Sequence, residues 1–206
     1  MRKTARRIGQ YLAGGLTFRR ARRHDAVVVW SLVGGSIWLV AGLVFGTVEP
    51  EVLCSGLYLL AVLMAICAID ARFGIIPDSL NLALAIGGIA EYAFAHGAAV
   101  YIGVFEAAAV FVAVAAFRTA FRWLRGYDGF GFGDVKFVGA ASLWIGFAAL
   151  PGAVLIAVGS ALASILLAGS ERYEVDGRPA IPFGPHLATG IWLTWNFDKL
   201  WGFGSV

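Results

Sequence analysis

Tyr58-Leu59-Leu60-Ala61-Val62-Leu63-Met64-Ala65-Ile66-Cys67-Ala68-Ile69 is an uninterrupted apolar run, and a carboxylate, Asp70, closes it. Extended back to residue 52, the run approaches the roughly 20 residues that a helix needs to cross a bilayer. Comparable runs lie at about 26–46, 52–69, 80–95, 99–117, 137–150, 152–169 and 185–200. Hydrophobic residues make up 60% of the 206-residue chain and charged residues 14%, against about 25% charged in a soluble domain. The alternating strands of an outer-membrane barrel are absent from the sequence. The expected fold is an all-α polytopic integral membrane protein with about seven transmembrane helices. The fifth and sixth runs meet at Leu150-Pro151-Gly152, read as a tight turn between antiparallel helices.

Charge orients the chain. Of 16 Lys and Arg, eight precede the first run: Arg2, Lys3, Arg6, Arg7, Arg19, Arg20, Arg22 and Arg23. Arg72, Arg118, Arg122, Arg125, Lys136, Arg172 and Arg178 fall in loops on that same side, and Lys199 alone falls on the other. By the positive-inside rule the N-terminus is cytoplasmic, and so are the loops that carry Asp70 and Asp134. Residues 1–25 read as a basic cytoplasmic segment, a topogenic tail or an amphipathic helix on the anionic inner leaflet. Residues 26–51 read as a first, retained span with a short outer loop. The net charge of +3 reflects these topogenic arginines and not a nucleic-acid surface.

Cys54 and Cys67 lie 13 residues apart in one run, and His24, His96 and His186 are scattered, so the sequence offers no metal cluster. Carboxylates at membrane depth are costly and mark functional sites. Asp70 ends a helix, where the macrodipole disfavours negative charge, so capping is a poor account of it. Asp134 follows paired glycines in Gly131-Phe132-Gly133-Asp134-Val135-Lys136. The glycines suit positive φ and the close approach of a strand or helix, and Asp134 itself reads either as a helix N-cap or as a reactive group. Two carboxylates brought together share one proton and activate water. Glu91 and Glu106, within the third and fourth runs, face a polar cavity, one another, or water at a helix end.

Asp70, then Ile76-Pro77-Asp78, then the Gly131–Lys136 segment, then Ile181-Pro182-Phe183-Gly184-Pro185 occur in one order and on one side. This arrangement, over about residues 55–195, resembles the type IV prepilin peptidase family of GxGD membrane aspartic proteases. The resemblance implies that residues 52–206 are a peptidase-like membrane domain with Asp70 and Asp134 as the catalytic pair. It implies a supporting role for Asp78, such as capping the third helix, because the family's aspartate precedes the Ile-Pro pair. Asp128 matches an acidic position in the longer form of the second motif; substrate contact and a solvated loop charge both fit it. Lys136 either stabilises an ionised dyad or snorkels to the interface. The segment around Pro182–Pro185 is a rigid lead-in to the last span or a border of the substrate's path.

The implied activity is cleavage of a basic leader from prepilins or pseudopilins at the cytoplasmic face of the bacterial inner membrane. Neither metal nor cofactor is required, and the expected partners are those substrates and membrane lipids, with no nucleic acid. The link Thr47-Val48-Glu49-Pro50-Glu51 leaves no room for the cysteine-paired domain of bifunctional relatives, so a compact form is expected, with N-methylation doubtful. The rival readings are a GxGD protease of other membrane helices, a non-catalytic pilus or secretion assembly factor, and a transporter using membrane carboxylates.

Overall fold

The computed structural model describes residues 36–37, 40–41, 44, 49–168, 173–175 and 178–201. The expected N-terminal segment and most of the first run therefore lie outside the described residues. Among the described residues from 49 onward, five α-helices and one hairpin follow in order: α1 (Pro50–Phe73), α2 (Asp78–His96), α3 (Val100–Arg125), α4 (Phe132–Ala168), strands β1 (Tyr173–Val175) and β2 (Arg178–Ala180), and α5 (Gly184–Trp201).

The boundaries follow from local chemistry. Pro50 opens α1, where a missing N–H costs nothing. Gly74 closes it at φ 63°, its N–H donating to Asp70 O at 2.8 Å, an αL stop that glycine adopts without strain. Pro77 then sets extended backbone before α2. Gly97 and a short 3-10 turn (Gly97–Ala99) reverse the chain into α3, bringing Gly103 against the Tyr92 ring. Gly126, at φ 74°, ends α3.

Among the described residues, three stretches are long and apolar enough to cross a membrane: Pro50–Phe73, Asp78–Arg125 and Phe132–Leu166. The second doubles back at Gly97 and the third at Gly146. At Gly146, φ 73° and ψ 164° interrupt α4, a backbone region open essentially to glycine alone. Beyond it, Ala153 packs on Gly190 and Ser160 bonds His186, so the 147–168 segment runs antiparallel to α5. Before it, Trp144 meets Trp195 at 6.5 Å, so the 132–145 segment runs parallel to α5. This corrects the expected turn at Leu150-Pro151-Gly152. Pro151 lies about one turn inside the second segment, and the reversal goes to the residue that tolerates its dihedrals. The remaining runs at 52–69, 80–95, 99–117 and 185–200 fall within α1, α2, α3 and α5 respectively.

The β1–β2 hairpin, antiparallel with Tyr173 opposite Ala180, was not anticipated. Its register leaves two residues between Val175 and Arg178, and Asp176-Gly177 is a two-residue turn signal in the sequence.

The core joins Leu59, Leu63 and Ile66 of α1 to Leu84 of α2, Phe137 and Trp144 of α4, and Ile191, Trp192 and Trp195 of α5. Trp144 donates from Nε1 to Leu84 O at 2.8 Å, satisfying the one polar atom that a buried indole carries. Outward faces are apolar as well: Phe94, Phe105, Leu155 and Leu166 are exposed. That inverts the pattern of a soluble bundle and suits a lipid surround. Packing is close where small residues meet, as in membrane bundles; a Cβ on Gly190 would collide with Ala153 O.

Candidate active site

Asp70 lies in the last turn of α1 and is buried, 5% exposed. The helix end alone would repel its charge. The start of α5 supplies the compensation: Gly184 N–H donates to Asp70 Oδ2 at 2.9 Å. A first-turn N–H has no partner within its own helix, so the end of one helix and the beginning of another satisfy each other.

Asp134 lies in the first turn of α4, where negative charge is favoured. Its Oδ2 accepts from Gly131 N–H at 3.0 Å, reaching back three residues as in a capping box. Asp134 therefore does not serve as the N-cap itself. The charge of Asp70 acts on the Asp134 carboxylate through space. Each carboxylate thus spends Oδ2 on a glycine N–H at a helix start, and among the described residues no hydrogen bond falls on either Oδ1.

Gly131 and Gly133 are not among the positive-φ glycines, which are Gly74, Gly97, Gly126 and Gly146 among the described residues. Of the two expected uses of glycine, only the close approach is seen. A Cβ on Gly133 would stand 3.2 Å from Ile76 Cβ, so the α4 start is pressed against the loop that follows Asp70.

The other singled-out residues turn elsewhere. Lys136 Nζ lies 2.6 Å from Asp78 Oδ1, and 5.2 Å from the Phe132 ring centroid. It ties the first turn of α2 to that of α4, and neither reading of Lys136, dyad contact or free snorkelling, had named this partner. Asp78 makes no side-chain cap on α2, whose N-cap is Pro77; the capping expectation gives way to the ion pair. Asp128 meets Arg118 at 2.8 Å and Arg122 at 3.8 Å. Arg118 also donates from Nε to Phe130 O at 3.0 Å, folding the 126–131 loop back on α3 and delivering Gly131 to the start of α4.

Two residues central to this geometry, Gly184 and Arg118, were not read as functional from sequence. Gly184 stood in the quoted Ile181–Pro185 motif, but its partner lies 114 residues away. Glu91 pairs with Lys199 at 2.8 Å, joining α2 to α5 at the end of the bundle away from Asp70.

A model of the type IV leader peptidase family matches residues 57–168, a stretch that includes Asp70, Asp78, Asp128 and Asp134. A prepilin leader peptidase/N-methyltransferase of Burkholderia pseudomallei (strain K96243) is 35% identical over 159 residues, covering 77% of this chain and 50% of that protein. The same-named protein of Dickeya chrysanthemi is 32% identical over 177 residues, covering 82% and 61%. That of Pectobacterium carotovorum subsp. carotovorum is 30% identical over 159 residues, covering 77% and 53%. The chain spans about half the length of the curated relatives it matches. No solved structure gives a significant match. With more than half its length matched, this chain belongs to the type IV leader peptidase family.

Proposed function

We propose that this protein is a membrane aspartic endopeptidase that removes the basic leader of type IV prepilins or pseudopilins, with Asp70 and Asp134 as its catalytic dyad. The observation that carries the reading is the pair itself. Two carboxylates come from distant parts of the chain, the charge of Asp70 bears on Asp134, and each is fixed by a glycine N–H at a helix start.

In the proposed chemistry one aspartate is ionised and takes a proton from water as that water attacks the scissile carbonyl. The other, protonated, donates to the carbonyl oxygen; as the tetrahedral intermediate collapses, the first passes the proton it took from water to the leaving amine and the second recovers its own. The proton belongs to the pair and not to either residue. The two glycine donors hold Oδ2 of each carboxylate, which leaves each Oδ1 for the reaction in this scheme. Asp78, Lys136, Asp128, Gly131 and Gly133 support the reaction by fixing the α2, α4 and 126–131 segments around the pair.

The topology that goes with this reading has seven spans: the 26–46 run, α1, α2, α3, the two halves of α4, and α5. The N-terminus and the dyad then face the cytoplasm of a bacterial inner membrane, as the arginine distribution favours. A substrate whose basic leader is cytoplasmic and whose helix lies in the bilayer meets the site without crossing the membrane. Pairing of Glu91 with Lys199 weakens the transporter alternative, because one of the two carboxylates that motivated it is neutralised.

The test is processing of an epitope-tagged prepilin co-expressed with the native chain, Asp70→Asn, Asp134→Asn or Asp78→Asn. The expected result is a shortened band with the native chain and Asp78→Asn, and none with the other two. Absence of cleavage by the native chain of any prepilin from its own host overturns the reading in favour of an assembly factor.

A further inference from the structure

The Ile181–Pro185 motif runs directly into His186, to which the cleavage chemistry assigns no part. His186 lies in the first turn of α5 and is 5% exposed. Its Nδ1 lies 2.9 Å from Ser160 Oγ on the 147–168 segment. Ser160 is itself tied down, its hydroxyl 2.9 Å from Ala157 O. Two residues upstream of His186 is Gly184, whose N–H binds Asp70 Oδ2 at 2.9 Å.

The first turn of a helix is where the ladder is incomplete and the backbone frays. In α5 this weakness falls on the donor that Asp70 depends on, and Pro185, next in line, has no N–H to contribute. Leu187 N–H bonds Phe183 O at 3.0 Å, closing the turn from within. One turn deeper the two helices touch backbone to backbone, at Gly190 and Ala153. The His186–Ser160 bond carries that packing outward to the level of Gly184. The bond spans the two helices at that level, so separating them there costs a hydrogen bond made away from bulk water.

We infer that His186 is a positioning residue for leader cleavage: through Ser160 it anchors the first turn of α5 on the 147–168 helix and so holds the Gly184 N–H on Asp70. The inference rests on the proposed peptidase reading and on Asp70 as half of the dyad. His186 touches neither substrate nor reacting atoms in this scheme. Displacement of a positioning element by about 1 Å lowers turnover by about a hundredfold, which sets the scale of effect.

The experiment measures kcat and KM for cleavage of a peptide spanning a prepilin leader junction by the full-length protein in lipid nanodiscs, with thermal unfolding followed in parallel. The set is native, His186→Ala, His186→Asn, Ser160→Ala and the double His186→Ala/Ser160→Ala. Ser142→Ala serves as control, because it removes a buried hydroxyl bonded to its own helix, at Gly139 O, 2.8 Å away. Expected are kcat losses of about tenfold to a hundredfold in His186→Ala and Ser160→Ala, with KM within about twofold. The double variant is expected to be no worse than the poorer single one. His186→Asn, which keeps a polar atom near the Nδ1 position, recovers most of kcat, and Ser142→Ala is unchanged.

Full turnover in Ser160→Ala and His186→Ala beside an active native chain overturns this inference alone. So does a loss confined to KM, a double loss equal to the product of the singles, or His186→Asn as slow as His186→Ala. A native chain that cleaves no prepilin overturns the peptidase reading, and this inference with it. Ser160→Ala is close to isosteric, so it stands as the readout should His186→Ala fold poorly.

Discussion

Gly184 N–H and Asp70 Oδ2 form a 2.9 Å hydrogen bond between residues 114 positions apart. The approach leaves no room for a side chain: a Cβ on Gly184 would stand 2.7 Å from Asp70 Oδ2 and 3.0 Å from its Cγ. Gly184 is absent from the positive-φ set, so alanine would suffer no backbone strain there. The substitution Gly184→Ala therefore isolates the clash with the carboxylate. The expected outcome is leader cleavage lowered about a hundredfold, on the scale of a 1 Å misplacement, with only a modest fall in unfolding temperature. Initial rates and thermal unfolding of the purified protein check it, and near-native turnover would remove Gly184 from the site.

The Asp78–Lys136 pair separates the two candidates for the first carboxylate. Its side chains are 76% and 33% exposed, and exposed pairs of this kind contribute less than about 1 kcal/mol. Asp78→Asn and Lys136→Met should each leave cleavage within a few-fold of native, and the double variant should be no worse than either single change. Salt should erase what difference remains. Complete loss in Asp78→Asn would instead move the catalytic role from Asp70 to Asp78.

Arg118 is the residue on which the 126–131 loop hangs. Only 17% of its side chain is exposed, and it grips both the Asp128 carboxylate and the Phe130 carbonyl. Arg118→Ala should release the loop that positions Gly131, and with it the N–H that holds Asp134, lowering cleavage about tenfold. Arg118→Lys should recover little, because an ammonium lacks the planar fork that serves two acceptors at once. Asp128→Asn should be milder, since Asp128 is 44% exposed and Arg118 keeps its bond to Phe130. Cleavage rates together with limited proteolysis of the loop distinguish these outcomes.

Residue type and neighbours along the chain explain which parts of this architecture were legible. Apolar length is a local property, so α1, α2, α3 and α5 could be read from runs of residues such as Tyr58–Ile69. The proposed pairing of Asp70 with Asp134 came from motif order and the resemblance it carries. What holds those aspartates was not, because Gly184 and Asp70, or Lys136 and Asp78, are neighbours only in space. The reversal in α4 went astray for a related reason. Leu150-Pro151-Gly152 carries the stronger dipeptide signal for a turn, whereas Gly146 is an isolated glycine in an apolar run, and only packing against α5 makes it the corner. Gly133 was rightly suspected of close approach, but its neighbour Ile76 could not be named from spacing.

Glu91 and Lys199 give the last test, because they decide whether a membrane carboxylate outside the dyad is structural. They form a 2.8 Å ion pair with side chains 12% and 23% exposed, and Lys199 also lies 6.0 Å from the Trp195 ring centroid. Removing one member strands a charge in apolar surroundings, which costs about 3–5 kcal/mol, whereas removing both is close to neutral. Glu91→Gln and Lys199→Met should each lower the unfolding temperature by about 6–20 °C, at 2–4 °C per kcal/mol for a chain of this size. The double variant should restore most of it. Glu91 lies 13 residues beyond Asp78 on α2, about 20 Å along the helix, so cleavage by whatever protein remains folded should be unchanged. If Glu91→Gln abolished cleavage at an unaltered unfolding temperature, the pair would be functional and not a brace. Glu91 would then have to be counted among the working carboxylates, and a transport role would regain its motivation.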